Sequence, residues 1–167
     1  MRIFSSRQQA LQRGIGSVEV LIGTAIVALT LSFTIATVNH FFTVGTKTAD
    51  RVAATYLAQE GVEALRFVRD SSWATIAALP TDTARYLDID SDTIGITTTP
   101  EVVDGFERTV FVRDVYRRSA GDDIVDEASE VGKVLDPNSK LVEVSVHAPA
   151  TGVTVMLGAY LTNLWTE

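Results

Sequence analysis

Residues 20 to 38 read VLIGTAIVALTLSFTIATV, a run of nineteen positions without a single charge. As a helix at 1.5 Å per residue it would rise about 28 Å, close to the thickness of a bilayer's hydrocarbon core. One membrane crossing is therefore expected. The rest of the 167-residue chain is enough for one domain with a modest core. A mean hydropathy of +0.19 fits one localised apolar segment better than several spans. The chain has no cysteine, which excludes a disulfide framework, a thiolate metal site and a lipoprotein anchor. The fold must hold by packing.

Charge is distributed asymmetrically about this run. Arg2, Arg7 and Arg13 precede it and no acid does, so the positive-inside tendency keeps the first fourteen residues in the cytoplasm and sends the remainder across. Beyond Gly14 there are 14 − 3 = 11 basic against 21 acidic side chains, a formal −10. That balance disfavours a nucleic-acid backbone as partner.

The threshold of the run, QRGIGSVEVLIG, carries Gly14 and Glu19. A secretory signal would have a shorter apolar region followed by a small-residue cut. A plain signal anchor fits length and charge, but gives no reason for an acid beside lipid, where a carboxylate costs up to about 2.5–3.5 kcal/mol at the membrane centre and less at its edge. The simplest role for Glu19 alone is to complement the positive end of the helix dipole. Together, Gly14 as the site of a cut, Ile15 as a new first residue, then Gly16, Ser17, Val18 and an acid at the fifth position resemble the class III leader of type IV prepilins and pseudopilins. In that family a short basic leader is removed before the hydrophobic segment by a prepilin peptidase, and the new N-terminal amine is methylated. The resemblance implies that Glu19 neutralises the amine of a neighbouring subunit as helices stack, since a carboxylate and an ammonium that are each costly in an apolar bundle become tolerable as a pair. Glycine at position 14 also presents no side chain to a protease drawing in an extended strand.

No proline occurs before Pro80, so the helix is expected to run from Ile15 to about Ser72. Small residues in its first half, Gly23, Ala25, Ala28 and Ala36, would permit close helix approach. Gly45 offers a point of flexing. Over residues 46–73 the expected apolar stripe is Val52, Tyr56, Ala64, Leu65 and Val68, widened by Leu57 and Val62, with Arg51, Glu63 and Arg69 off it. The segment YLAQEGVEALRFVRDSSW, residues 56 to 73, also resembles one found just after the membrane helix in some bacterial prepilin-like proteins. Glu63 precedes Arg66 by three residues, a helix-spaced pair that reads as a solvated face; Gly61 is anomalous mid-helix. Trp73 is expected to fill the join between helix and sheet.

After LPTDTAR the period changes from 3.6 to 2. Thr109–Val115 alternates around Val110 and Val112; Leu141–His147 places Val142, Val144 and Val146 on one face; Val153, Val155, Leu157, Ala159 and Leu161 do the same in the last segment. Three antiparallel strands follow, the last two joined by the short link HAPATG. A weaker strand near Ile94–Thr99 would add an edge, and Ser119–Asn138, rich in acids, reads as an exposed loop. The fold class expected is α+β: a long N-terminal helix, transmembrane in its first half and amphipathic in its second, packed on a small antiparallel sheet. The resemblance implies the pilin fold, divided as a cleaved leader at 1–14, a transmembrane or filament-core helix at 15–39 and an extracytoplasmic domain at 40–167.

Little points to catalysis. Asp88, Asp90 and Asp92 are spaced like the start of a calcium loop. The motif then fails, with Thr93 where glycine is needed and Thr99 where glutamate is needed, so a hydrated turn is preferred over a looser calcium site such as some pseudopilins carry. His40 and His147 have no nearby nucleophile arrangement. No metal, cofactor or catalytic residue is assigned. The expectation is a non-enzymatic subunit of a type IV pilus or type II secretion-like pseudopilus. Its implied partners are the prepilin peptidase, like or related pilin subunits, an inner-membrane assembly platform and lipid. The precursor would be a single-pass inner-membrane protein with its leader in the cytoplasm, later part of an extracytoplasmic filament. The alternative is a permanently anchored extracytoplasmic binding module that never polymerises.

Overall fold

The computed structural model describes residues 16–90, 93–119, 123–125, 127–128 and 132–164. Helix α1 spans Ser17–Ser71 and a short α2 spans Trp73–Ala77. Among the described residues seven strands follow: β1 (Tyr86–Ile89), β2 (Ile94–Thr97), β3 (Glu101–Val103), β4 (Phe106–Arg118), β5 (Ile124–Val125), β6 (Lys133–Ala148) and β7 (Val153–Thr162). The chain divides into two compact units between Val44 and Gly45.

The N-terminal unit is helix alone as far as it is described. Every residue from 16 to 44 is exposed, and this stretch is long and apolar enough to cross a membrane.

The C-terminal unit is an antiparallel sheet of order β3-β4-β6-β7, with β5 paired to β4, and a separate β1-β2 hairpin. Residues 54–68 of α1 cover one face of the main sheet. Val142, Val144 and Val146 share that face of β6 and are fully buried, as period 2 predicts, opposite Val112, Val110 and Arg108 of β4. The link between β6 and β7 is a hairpin turn: Gly152 takes φ +70° and donates its N–H to Ala148 O at 2.9 Å. Thr151 in this turn donates to the Asp50 carboxylate at 2.6 Å, tying the turn to α1. Trp73 is half-buried against the core, and Ile76 of α2 is fully inside it.

Three expectations are corrected. The buried stripe of α1 is Ala54, Ala58, Gly61, Val62, Ala64, Leu65 and Val68, while Val52 and Tyr56 point to solvent. At Gly61 the helix and sheet are closest: a Cβ there would lie 2.8 Å from Val144 Cγ1, so at that point no side chain fits, while Val62, Leu65 and Val68 fill the space beside it.

Second, Ser119–Asn138 is not a single loop. β4 reaches Arg118, β5 pairs with it at Tyr116 and Arg117, and β6 begins at Lys133. Strand pairing survives Pro137 because the register jumps there: Asp114 faces Lys140, but Val115 faces Asp136, so Pro137–Ser139 bulge out of the ladder. Asn138 N–H donates to Asp136 Oδ1 at 2.9 Å, a side-chain-closed turn that shapes the bulge.

Third, Ile94–Thr97 is a strand but not an edge of the main sheet; it pairs with β1, which pattern reading missed under its alternating acids.

Candidate functional site

The surface that most needs explaining is the helix from 16 to 44. Its first turn closes on Gly16, whose carbonyl accepts from the N–H groups of Glu19 (2.9 Å) and Val20 (3.2 Å). Hydroxyls would be a cost in an apolar medium, but here they are satisfied by the helix itself. Thr30, Ser32, Thr34 and Thr37 each donate to the carbonyl four residues back at 2.8 Å, and Thr24 and Thr43 do so at 3.0 Å. Outward from this backbone stand fourteen large apolar side chains, Val18 to Val44, all exposed. At about 1 kcal/mol apiece, below the value for full transfer of such a side chain, they represent on the order of 14 kcal/mol of unrealised burial. That matches the whole stability of a typical domain. The segment is long and apolar enough to cross a membrane, and its apolar surface is uncovered among the described residues.

Glu19 lies exposed in the first turn of α1 and, among the described residues, has no side-chain partner. Its position lets it meet the positive helix end or an external cation. Gly14 and Ile15 lie outside the described residues. So does Asp92; Asp88 sits on β1 and Asp90 closes the β1–β2 hairpin through its N–H to Thr93 O at 2.9 Å, both exposed. No group of three metal-ligating side chains occurs among the described residues. His40 is exposed on α1, and His147 Nδ1 lies 2.9 Å from Thr154 Oγ1 across the β6–β7 ladder.

A charged cluster that sequence reasoning missed lies under the second half of α1. Arg108 is almost completely buried, yet its guanidinium is held on every side. Nε and Nη2 grip both oxygens of Glu101 (2.8 and 2.5 Å), while Nη1 donates to Glu60 Oε2 (3.1 Å) and to Leu57 O (3.2 Å). Burial pulls the arginine pKa down, but the hydrogen bonds and charges of Glu101 and Glu60 outweigh it and hold the pKa above its ordinary value. The absent side chain of Gly61 leaves room for Arg108 Cδ, so the helix, β3 and β4 are joined at one point. A signal for part of this was present: the pair Asp104-Gly105 forms a two-residue hairpin with φ of 50° and 85°, and pairing outward from Val103–Phe106 places Glu101 opposite Arg108.

A second cluster pins the bulge. Arg117 Nε meets Asp136 Oδ2 at 2.6 Å, and Lys140 Nζ meets Asp114 Oδ1 at 2.5 Å. Burial would raise the Asp136 pKa, but Arg117, Ser139 and the Asn138 N–H together hold it below the usual aspartate value.

The first cluster joins helix to sheet, and the second holds the bulge of β6. The exposed apolar helix with its one acid is the candidate functional surface. Comparison with protein-family models, with characterised proteins and with solved structures returns no match for the chain.

Proposed function

We propose that this chain is a prepilin-like structural subunit: made as a single-pass inner-membrane precursor, cut after Gly14 by a prepilin peptidase, and assembled through α1 with like or related subunits into a type IV pilus or a secretion pseudopilus. The observation that carries this reading is the helix from 16 to 44, apolar and exposed on all sides, with Glu19 in its first turn. In a helix that only crosses lipid, that acid could do no more than complement the helix's own positive end. One that leaves lipid for a bundle of its own kind can pair it with a neighbour's terminal amine, which fixes the stagger between subunits. The small packed domain, whose buried Arg108 holds helix to sheet, supports a structural rather than catalytic role.

The permanently anchored binding module is supported by the internal bonding of the hydroxyls, which suits a helix that stays in lipid equally well. The two readings differ at one bond. Intact mass of the protein from cells with a working prepilin peptidase should correspond to a chain beginning at Ile15. A species that keeps residues 1–14, or one cut beyond the apolar run, would rule the filament reading out.

A further inference from the structure

After Glu19, charge returns to α1 at one place. Residues 20–46 carry none; Lys47 and Arg51 follow, and the first acid is Asp50. That uncharged run rises about 40 Å as a helix, the thickness of a bilayer counted through its headgroups, whereas residues 20–38 match the hydrocarbon alone. Lys47 therefore stands at the far headgroup layer when Glu19 stands at the near one. Arg51 is one turn further on. Side chains on a helix tilt toward its N-terminus, so both long cations lean back toward the lipid with their stems along the helix.

Neither cation is compensated within the chain. Among the described residues Arg66, Arg69, Arg108, Arg113, Arg117 and Lys140 each meet a carboxylate, while Lys47 and Arg51 are exposed and meet none. Asp50, which lies between them in sequence, is engaged by the sheet, its carboxylate accepting from Thr151 at 2.6 Å. Four residues apart, the two cations share one face of α1, and like charges at that spacing cost a helix stability. Lysine and arginine are also the residues that the translocated flank of a membrane helix ordinarily lacks. An anion held between them turns the repulsion into attraction. We propose that Lys47 and Arg51 form a binding site for the phosphate of an anionic phospholipid, in the leaflet at the C-terminal end of the apolar run. The anion is a lipid's and not a free phosphate because the pair sits at headgroup level, at the end of a run whose length is the bilayer's own. The contact fixes the depth of α1 for as long as the helix stays in lipid. The inference rests on α1 crossing a membrane, which the filament and anchored readings share.

The full-length chain is placed in nanodiscs of phosphatidylcholine, alone or with a minor share of phosphatidylglycerol, and the lipids that stay on the protein as the disc is stripped are counted by native mass spectrometry. Phosphatidylglycerol should be enriched over its share in the disc. Lys47→Gln and Arg51→Gln should each lower the enrichment about fivefold, the change expected for one basic side chain at an anionic lipid surface. Lys47→Thr combined with Thr48→Lys keeps the charge at nearly the same depth but turns it by about 100° around the helix, and should lower the enrichment as far as Lys47→Gln does. Acetylation of Lys47 by a soluble amine reagent should be slower in the discs that contain phosphatidylglycerol, with Lys133 and Lys140 of β6 as the internal reference. Undiminished enrichment after the lysine is moved would overturn the shared site in favour of charge near a surface. No enrichment in an inserted chain would overturn the headgroup contact and leave the membrane crossing standing. A chain that inserts in neither lipid would overturn the crossing, and the proposal with it.

Discussion

Residues 20–38 and residues 54–68 belong to the same helix, yet they solve opposite problems. The first stretch shows leucine, isoleucine, valine and phenylalanine on every side and buries none of them. The second buries Ala54, Ala58, Gly61 and Leu65 along one line and leaves Tyr56 and Phe67 in solvent. The first stretch thus leaves its large apolar residues uncovered, and the second brings small residues, with Leu65, Val62 and Val68 beside them, against the sheet. Packing at short range selects for the absence of side chains, because a close-packed interface cannot admit extra methyl groups. The comparison can be broken by showing that the small-residue line tolerates bulk, or that the bulky surface is part of the folded core.

The largest effect is expected at the buried charge. Arg108→Ala would leave Glu101 facing the core without its partner, and removing one member of a buried pair typically costs about 3–5 kcal/mol. Thermal unfolding of the full chain in detergent, followed by the sheet signal in circular dichroism, should show it. A loss under about 1 kcal/mol would mean that the cluster under Gly61 is wetter than its geometry implies.

Next comes Gly61 itself. Replacement by alanine adds helix propensity of nearly 1 kcal/mol, but puts a methyl 2.8 Å from Val144 Cγ1. Val144 is β-branched, fully buried and bonded into the centre of the sheet, so it has little freedom to yield. Gly61→Val, with more bulk, should destabilise by about 1–3 kcal/mol through overpacking. An unchanged melting temperature would show that the helix can lift off the sheet at no cost, which removes the basis of the contrast.

How much of this was legible depends on how far apart in the chain the deciding residues lie. The apolar run and the alternation of Val142, Val144 and Val146 are local patterns, and both could be read directly. The stripe on α1 was legible at Leu57, Val62, Ala64, Leu65 and Val68 but not at its start, where Ala54, Ala58 and Gly61 are weak hydrophobic signals and Val52 and Tyr56 outweigh them until the sheet is placed against the helix. Glu60 meets Arg108 across 48 positions, and no spacing rule reaches that far. The Asp104-Gly105 turn was sufficient to pair Glu101 with Arg108, so that half of the cluster was readable and was overlooked. Pro137 concealed the length of β6, because a proline normally argues against a strand and only the bulge makes it admissible. Of the candidate site, the threshold acid Glu19 was legible, while the way Ser and Thr hydroxyls are satisfied along α1 follows only from helix geometry.

A smaller effect is expected with pH at the bulge. Asp136 is held below its ordinary pKa, so it contributes stability that is fully present above the usual aspartate range and is lost as pH falls through its lowered folded value. The domain should therefore lose stability from about pH 4 downward. Asp136→Asn should cost about 1 kcal/mol at neutral pH and flatten that acid limb, given that Arg117 is partly exposed and its bond correspondingly screened. An acid limb as steep as in the parent would assign the sensitivity to other carboxylates.

The smallest effect gives the sharpest comparison, because it uses one substitution twice in one helix. Leu65→Ala removes a fully buried side chain from the core and should cost about 2–5 kcal/mol. Leu29→Ala removes the same atoms from a leucine that is 61% exposed in the apolar stretch. In detergent it should change the unfolding of the sheet by less than about 0.5 kcal/mol, as for a surface substitution. On the proposed filament reading its consequence should appear elsewhere, in the recovery of subunits in sheared filaments at equal membrane level, since three carbons lost from an apolar helix contact would weaken assembly and not the fold. If Leu29→Ala lowered the melting temperature as far as Leu65→Ala, residues 20–38 would already be packed within a single chain, and the surface assigned to neighbours would be a core.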